Sequence, residues 1–214
     1  LFGGPMGYSD AAFHQATLLY EEETDDQLYE TICETVASSV VMHPEFVALL
    51  RLASVQKHVG VFVVTCGLGR VWKKVLNRYG LSESVDVIGG SRILDGFVVT
   101  PAAKASIISR LRKDLHLYVW AFGDSPLDVP MLQEADQAIV VVVDEQTRSF
   151  SMDTALSEAI DDGLRARQVP LPRHSLPRLD KDRLPLACLD DQQFIASIIR
   201  RRSFEVLHAT EKLA

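Results

Sequence analysis

Asp124 and Asp128 stand four residues apart in Gly123-Asp124-Ser125-Pro126-Leu127-Asp128, a spacing that sets two carboxylates at one tight turn. Carboxylates presented this way suit a hard cation such as magnesium, which takes oxygen ligands and keeps several waters. Far upstream, Thr65 offers a hydroxyl, and the amides of Cys66 and Gly67 can point into the same space. Such donors suit phosphoryl oxygens. Lys104 adds a positive point charge. Hydroxyl, ammonium and metal-binding carboxylates together describe a clamp for phosphoryl transfer.

Each residue taken singly has a plainer reading. Asp124 alone is equally a turn residue or a helix cap. Lys104 alone is more often a solvated lysine, and Thr65 alone a strand-end hydroxyl. Cys66 lacks a histidine placed to activate it as a nucleophile, since His58 and His116 merely precede strands. The weight lies on the set and on where the chain puts it.

Residues 8–57 read as helical. Ser9 caps a helix from about Asp10 to Glu22, and Thr24 with Gln27 has the capping-box spacing for a second, reaching Val40. Pro44, after His43, opens a third, with Phe46, Leu49, Leu50 and Ala53 at buried-face spacing. The pattern then becomes β-branched runs alternating with helices. Val61–Val64 is a strand ending at Thr65-Cys66-Gly67, and helix 69–79 stops at Gly80. Val85–Ile88 is a strand, and helix 102–114 follows Pro101. Leu117–Phe122 is a strand turning at Gly123, Pro130–Ala135 a short helix, and Ala138–Val143 an apolar strand.

Continuous apolar strands between helices indicate a doubly wound parallel α/β sheet covered on both faces. In such sheets ligands sit beyond the carboxyl ends of the strands. Thr65, Asp124 and Asp128 lie at such ends, and Lys104 lies on the first turn of a helix. The expected organisation is a helical cap over 1–45, an α/β core over 46–163, a Pro/Arg-rich linker over 164–189 and a C-terminal helix over 190–214, capped by Asp190 or Asp191 and reaching about Lys212. The basic segment 165–185 reads as a solvated tether, with phosphate or partner binding as the rival reading.

At roughly 150 residues per domain, 214 residues make one full domain or one domain with a substantial insert. With 47% hydrophobic and 24% charged residues the composition is that of a globular protein, not a disordered or fibrous one. A net charge of −7 disfavours broad nucleic-acid or anionic-membrane binding. The longest apolar runs fall far short of the about 20 residues of a membrane span. The N-terminal Leu1-Phe2-Gly3-Gly4-Pro5 lacks the basic and apolar stretches of a secretory leader. Three widely spaced cysteines make no disulfide framework, and a reducing, cytoplasmic setting is expected.

The ordered set resembles the haloacid dehalogenase superfamily. Its second motif is a strand ending in Ser or Thr, matched by VFVVTCG at Thr65; its third is a lysine, matched by Lys104 in TPAAKASII; its fourth is acidic, matched by AFGDSPLDVPML at Asp124 and Asp128. The segments VDVIGG and LDGFVVTPAAK look most like the phosphoserine-phosphatase branch, and the helices of 8–45 sit where that branch carries its cap. The resemblance implies a magnesium-dependent phosphatase acting on a small phosphorylated metabolite. In it Thr65, Cys66 and Gly67 hold the phosphoryl group with Lys104, and Asp124 and Asp128 serve the metal.

One motif of that superfamily has no counterpart. The first, Asp-x-Asp on the first strand, supplies nucleophile and general acid/base, and neither Asp10 nor Asp25-Asp26 follows an apolar strand. The superfamily places that strand between those ending at Thr65 and Asp124. Without it a gap of roughly 10 Å would open in mid-sheet. The flanking backbone groups would each cost about 1–3 kcal/mol, against a domain stability of about 5–15 kcal/mol. The working protein is therefore expected to supply this strand from upstream of Leu1.

The rival reading is a non-catalytic binding or regulatory domain joined to another domain. Residues 176–214 faintly resemble the join to a phosphoribosyltransferase-type module. A receiver domain needs an early acidic pair, and CGLGR lacks the third glycine of a dinucleotide fingerprint. Substrate choice would fall to the cap, where Tyr8, His14, Gln15 and Glu21 are polar candidates.

Overall fold

The computed structural model describes residue 2 and residues 7–92, 98–146 and 148–200. Three helices come first: α1 Asp10–Glu23, α2 Asp26–Ser39 and α3 Pro44–Ser54. Strands and helices then alternate as β1 Phe62–Leu68, α4 Gly69–Arg78, β2 Asp86–Gly90, α5 Pro101–Lys113 and β3 Trp120–Gly123. After a 3-10 turn at Pro126–Asp128 come α6 Val129–Glu134, β4 Gln137–Val142, α7 Ser151–Asp161, β5 Ala166–Pro170 and α8 Gln192–Ile199. All strand pairs are parallel. The chain is an α/β protein of the doubly wound kind.

Local chemistry explains the boundaries. The Ser9 hydroxyl accepts from the Ala12 amide at 3.3 Å, opening α1. The second helix starts one residue later than the capping-box spacing suggests: Asp25, not Thr24, is its cap, its carboxylate accepting from the Leu28 amide at 2.7 Å. Thr24 instead closes α1. Gly80 ends α4 at φ +67°, a conformation costly for residues with a Cβ, while the Leu81 amide reaches back to the Leu76 carbonyl at 2.9 Å. Asp191 caps α8, which stops at Ile199 where Arg200 turns extended (ψ 128°), short of the expected run to Lys212; residues after 200 lie outside the described residues.

The strands form two sheets, β1-β2 and β3-β4-β5. Among the described residues no ladder joins β1 to β3. That is where the superfamily resemblance calls for one further strand. Burial reflects the break. β4, paired on both sides, has Ile139, Val140 and Val142 at 0% exposure, whereas β1 is half-buried and Phe62 is 48% exposed.

Side-chain alternation along β4 builds two core layers. Ala138, Val140 and Val142 meet Ile108 of α5, Leu132 of α6 and Met152 and Leu156 of α7. Ile139 points the other way, to Leu49 of α3, Val169 of β5 and Phe194 of α8. A third cluster joins Val47 and Leu50 of α3 to Leu76 and Val85 beside β1-β2. Helix α3 thus serves both sheets, and its Phe46 meets Phe122 of β3 edge-on, ring centres 5.5 Å apart.

The Pro/Arg-rich segment corrects the tether reading. Ala166–Pro170 is the edge strand β5, and the strap after it is fastened down. Gln168, 0% exposed, donates through Nε2 to the carbonyls of Leu179 (2.8 Å) and Leu184 (2.7 Å) and accepts from the Arg178 amide at 2.8 Å. Arg183 pairs with Asp161 and Arg173 with Asp190. Helix α7 and strand β5 were not foreseen as elements. Among the described residues no single helix is long and apolar enough to cross a membrane.

Candidate functional site

Strand β1 runs on to Leu68, so Thr65 is the fourth of its seven residues and not, as the sequence suggests, the strand's end. Thr65 pairs with Gly89, but the next paired residue is Leu68 with Gly90, so Cys66 and Gly67 leave the ladder. The Gly67 amide folds back onto the Thr65 hydroxyl at 3.0 Å. This crossing tolerates no side chain at 89. A Cβ there would lie 2.5 Å from the Gly69 Cα and 2.9 Å from Thr65 Cγ2.

Helix α5 positions Lys104. Thr100 caps it by accepting from the Ala103 amide at 3.2 Å, with Pro101 in the first turn. Lys104, one turn in, is only 6% exposed; its Nζ donates to Asp128 Oδ1 at 2.6 Å. The other oxygen of Asp128 accepts from the Asp124 amide (3.1 Å), the Ser125 amide (3.2 Å) and the Ser125 hydroxyl (3.0 Å). A buried ion pair is tolerated better when further hydrogen bonds satisfy its charges, and the three donors on Oδ2 do this for Asp128. Gly123 makes room: a Cβ there would meet the Asp128 Cβ at 2.4 Å.

Asp128 is therefore the girder of the turn, Oδ1 held by Lys104 and Oδ2 by three donors of the turn itself. Asp124 is different. It is exposed, and its carboxylate has no ion-pair partner among the described residues. Crowding by the surrounding protein, then the neighbouring Asp128 charge, raises its pKa above the ordinary Asp value; Arg178 and Lys104 act in the opposite sense. Burial likewise raises the Cys66 thiol, with Lys104 lowering and Asp128 raising it. Those mutual influences put Cys66, Lys104, Asp124 and Asp128 in one electrostatic neighbourhood, and α5 packs against β1 to hold it.

Among the described residues no group of three or more His, Cys, Asp or Glu side chains could enclose a metal. The donor set fits a magnesium ion only in the open manner that cation accepts, through one carboxylate, Asp124, with water and phosphoryl oxygens completing the shell.

Two neighbours were not singled out from sequence. Ser125 sits three before Asp128, a capping spacing that was there to be read. Arg178 gave no signal, being one arginine among several in a proline-rich stretch. Its side chain is 0% exposed, and Nη1 donates to the Ser149 carbonyl (2.8 Å) and Asp153 Oδ1 (2.7 Å).

The helical pair α1–α2 is tied to the core by charge. Arg92, just past β2, grips both oxygens of Glu21 at 3.0 Å and Asp26 at 2.9 Å, and lies over the Tyr29 ring. Lys74 of α4 reaches Glu30 and Glu34 of α2, both at 2.6 Å. Glu21 is thus a tether, Tyr8 stacks on Phe2 and lies tilted against Phe13, and His14 and Gln15 face solvent.

Fold and site together define a parallel α/β domain with a buried lysine–carboxylate pair beneath an exposed aspartate in the turn after β3. The chain belongs to the haloacid dehalogenase-like hydrolase family, whose profile matches residues 1–133. It is also 36% identical over 61 residues to a phospholipid-transporting ATPase of Schizosaccharomyces pombe; the match covers 28% of this chain and 4% of that protein. No solved structure matches the chain.

Proposed function

We propose that the chain forms the phosphoryl-transfer domain of a phosphatase of the phosphoserine-phosphatase-like branch, cleaving a small phosphomonoester in the cytoplasm. The observation that carries the reading is the buried Lys104–Asp128 pair beneath an exposed Asp124, with the helix of Lys104 packed against β1, the strand that bears Thr65. The family supports hydrolysis; the helical pair before β1 supports the branch.

In this reading an aspartate on a strand seated between β1 and β3 attacks phosphorus. The phosphoryl group passes from the ester oxygen to that carboxylate, and the second aspartate of the same Asp-x-Asp motif gives the departing alcohol oxygen its proton, to take one back from the water of the next step. Water then attacks the aspartyl-phosphate, releasing phosphate and restoring the carboxylate. The Thr65 hydroxyl and the Cys66 amide orient the phosphoryl oxygens while the Gly67 amide, bonded to the Thr65 hydroxyl, fixes that side chain; Lys104 offsets the phosphoryl charge, and Asp128 fixes the turn so that Asp124 faces the site. Magnesium, held by Asp124, would supply further charge neutralisation at the phosphoryl group. Like the ATPase it partly matches, the chain would operate inside a larger protein. The non-catalytic alternative is favoured by one observation, the break between β1 and β3.

The test is phosphate release from small phosphomonoesters, with magnesium, by protein that includes the intervening strand. Asp124→Ala should lower kcat by about 100-fold or more, as loss of a charge-stabilising group does. Activity surviving that substitution would refute the assignment.

A further inference from the structure

We propose that Arg178, carried by the strap after β5, is a positioning residue for the Asp124–Asp128 turn: it braces the head of α7 against that turn and so sets where Asp124 meets its cation. The inference rests on the reading of Asp124 as the metal-facing group, but its geometry stands without it.

Arg178 Nη1 holds two groups at the start of α7, the Ser149 carbonyl and the Asp153 carboxylate. Helix α7 packs against the Pro126–Asp128 turn and α6, with Met152 and Leu156 at 0% exposure in the same cluster as Val129, Met131 and Leu132. A shift of its first turn is therefore felt at Asp128. The strap itself does not need a guanidinium. Gln168 already fastens it, through the Arg178 amide and the Leu179 and Leu184 carbonyls.

Yet the guanidinium is kept at a cost. Its Nε and Nη2 are buried with no hydrogen-bond partner among the described residues. Buried donors without acceptors are destabilising, so an apolar side chain would serve a mere strap better. The charge has an evident object. Two carboxylates of this corner each have a buried cation, Asp128 with Lys104 at 2.6 Å and Asp153 with Arg178 at 2.7 Å. That leaves Asp124 as the outward-facing carboxylate, and Arg178 acts on it more strongly than Lys104 does.

The experiment compares wild type with Arg178→Met, Arg178→Lys and Asp153→Asn in the full chain. It reads amide hydrogen exchange at Asp124 and Ser125, with Leu81 and Val85 as distant controls, and Mn2+ affinity by water proton relaxation. Arg178→Met should speed exchange at Asp124 and Ser125 tenfold or more, leave the controls within twofold and weaken Mn2+ binding at least threefold. Arg178→Lys should return Mn2+ affinity to within threefold of wild type. Turn amides and affinity both within twofold of wild type in Arg178→Met would overturn the proposal. So would faster exchange at all four amides alike, or tighter Mn2+ binding, which marks a repelling charge rather than a brace. If Arg178→Met does not fold, Asp153→Asn decides: faster turn exchange supports the brace and unchanged exchange overturns it. Wild type showing no Mn2+ binding sensitive to Asp124→Ala would defeat the metal reading of Asp124, while turn exchange still judges Arg178.

Discussion

Lys104 and Asp128 come from different βα units and meet at 2.6 Å with both residues 6% exposed. Neither charge has much water to fall back on, so each depends on the other. Removing one partner from such a pair costs about 3–5 kcal/mol, because the remaining charge is left buried. Urea unfolding should show Lys104→Met and Asp128→Asn each destabilised by about that much. The double variant should be far less destabilised than the sum, with a coupling of about 1–3 kcal/mol. Additive effects would mean that the two side chains are not a unit.

Asp124 pulls the other way. Its raised pKa means that the folded protein binds its proton more tightly than the unfolded chain does. Above the folded-state value, the ionised group therefore subtracts from stability; below the ordinary Asp value, the penalty is gone. In metal-free buffer Asp124→Asn should be more stable than wild type at neutral pH. The gain should shrink as pH falls through the window between the raised value and the ordinary one. A gain that is independent of pH, or a loss at pH 7, would contradict the charge assignment.

How far the sequence foretold this site depends on the range of the interactions. The Gly80 stop of α4, the Pro101 start of α5 and the unbroken apolar run of β4 are local or periodic signals, and the structure repeats them within a residue or two. Strand β5 is different. Its central residue is Gln168, whose polarity argues against burial until the Leu179 and Leu184 carbonyls, which arrive from the following strap, are known. Helix α7 carries Met152, Leu156 and Ala159 on one buried face, a helical spacing already present in the sequence. The spacing of Asp128 from Asp124 is local and legible, whereas its bond to Lys104 crosses 24 residues and depends on Gly123 having no Cβ.

Cys66 offers a reporter of whether the strand end and the acidic turn truly share a site. Its thiol is raised by burial, lowered by Lys104 and raised by Asp128. Alkylation proceeds through the thiolate, so its rate follows the pKa. Iodoacetamide at pH 8 should modify Cys66 more slowly than an ordinary exposed cysteine. Asp128→Asn should speed the reaction and Lys104→Met should slow it further. Equal rates in all three proteins would place Cys66 outside the reach of both charges.

The attachment of α1–α2 yields the last prediction. Arg92 joins β2 to Glu21, Asp26 and the Thr24 carbonyl, and it lies over Tyr29, which Arg70 of α4 also covers. The cation sits on the core and its acceptors sit on the helical pair, so the contact acts as a latch between them. The pairs at Lys74 and Arg70 are more open and weaken with salt. Arg92→Ala removes the best-shielded of these contacts, with its side chain only 12% exposed. Limited proteolysis should then cut faster near Thr24–Asp26, and more so at 1 M salt than at 0.1 M. Cleavage within α5 or β4 should not change, because Ile108, Ile139 and Val140 belong to clusters that α1 and α2 do not enter. Equal cutting of wild type and variant at high salt would show that the apolar contacts of Tyr29, Cys33 and Ala37 alone hold the pair in place.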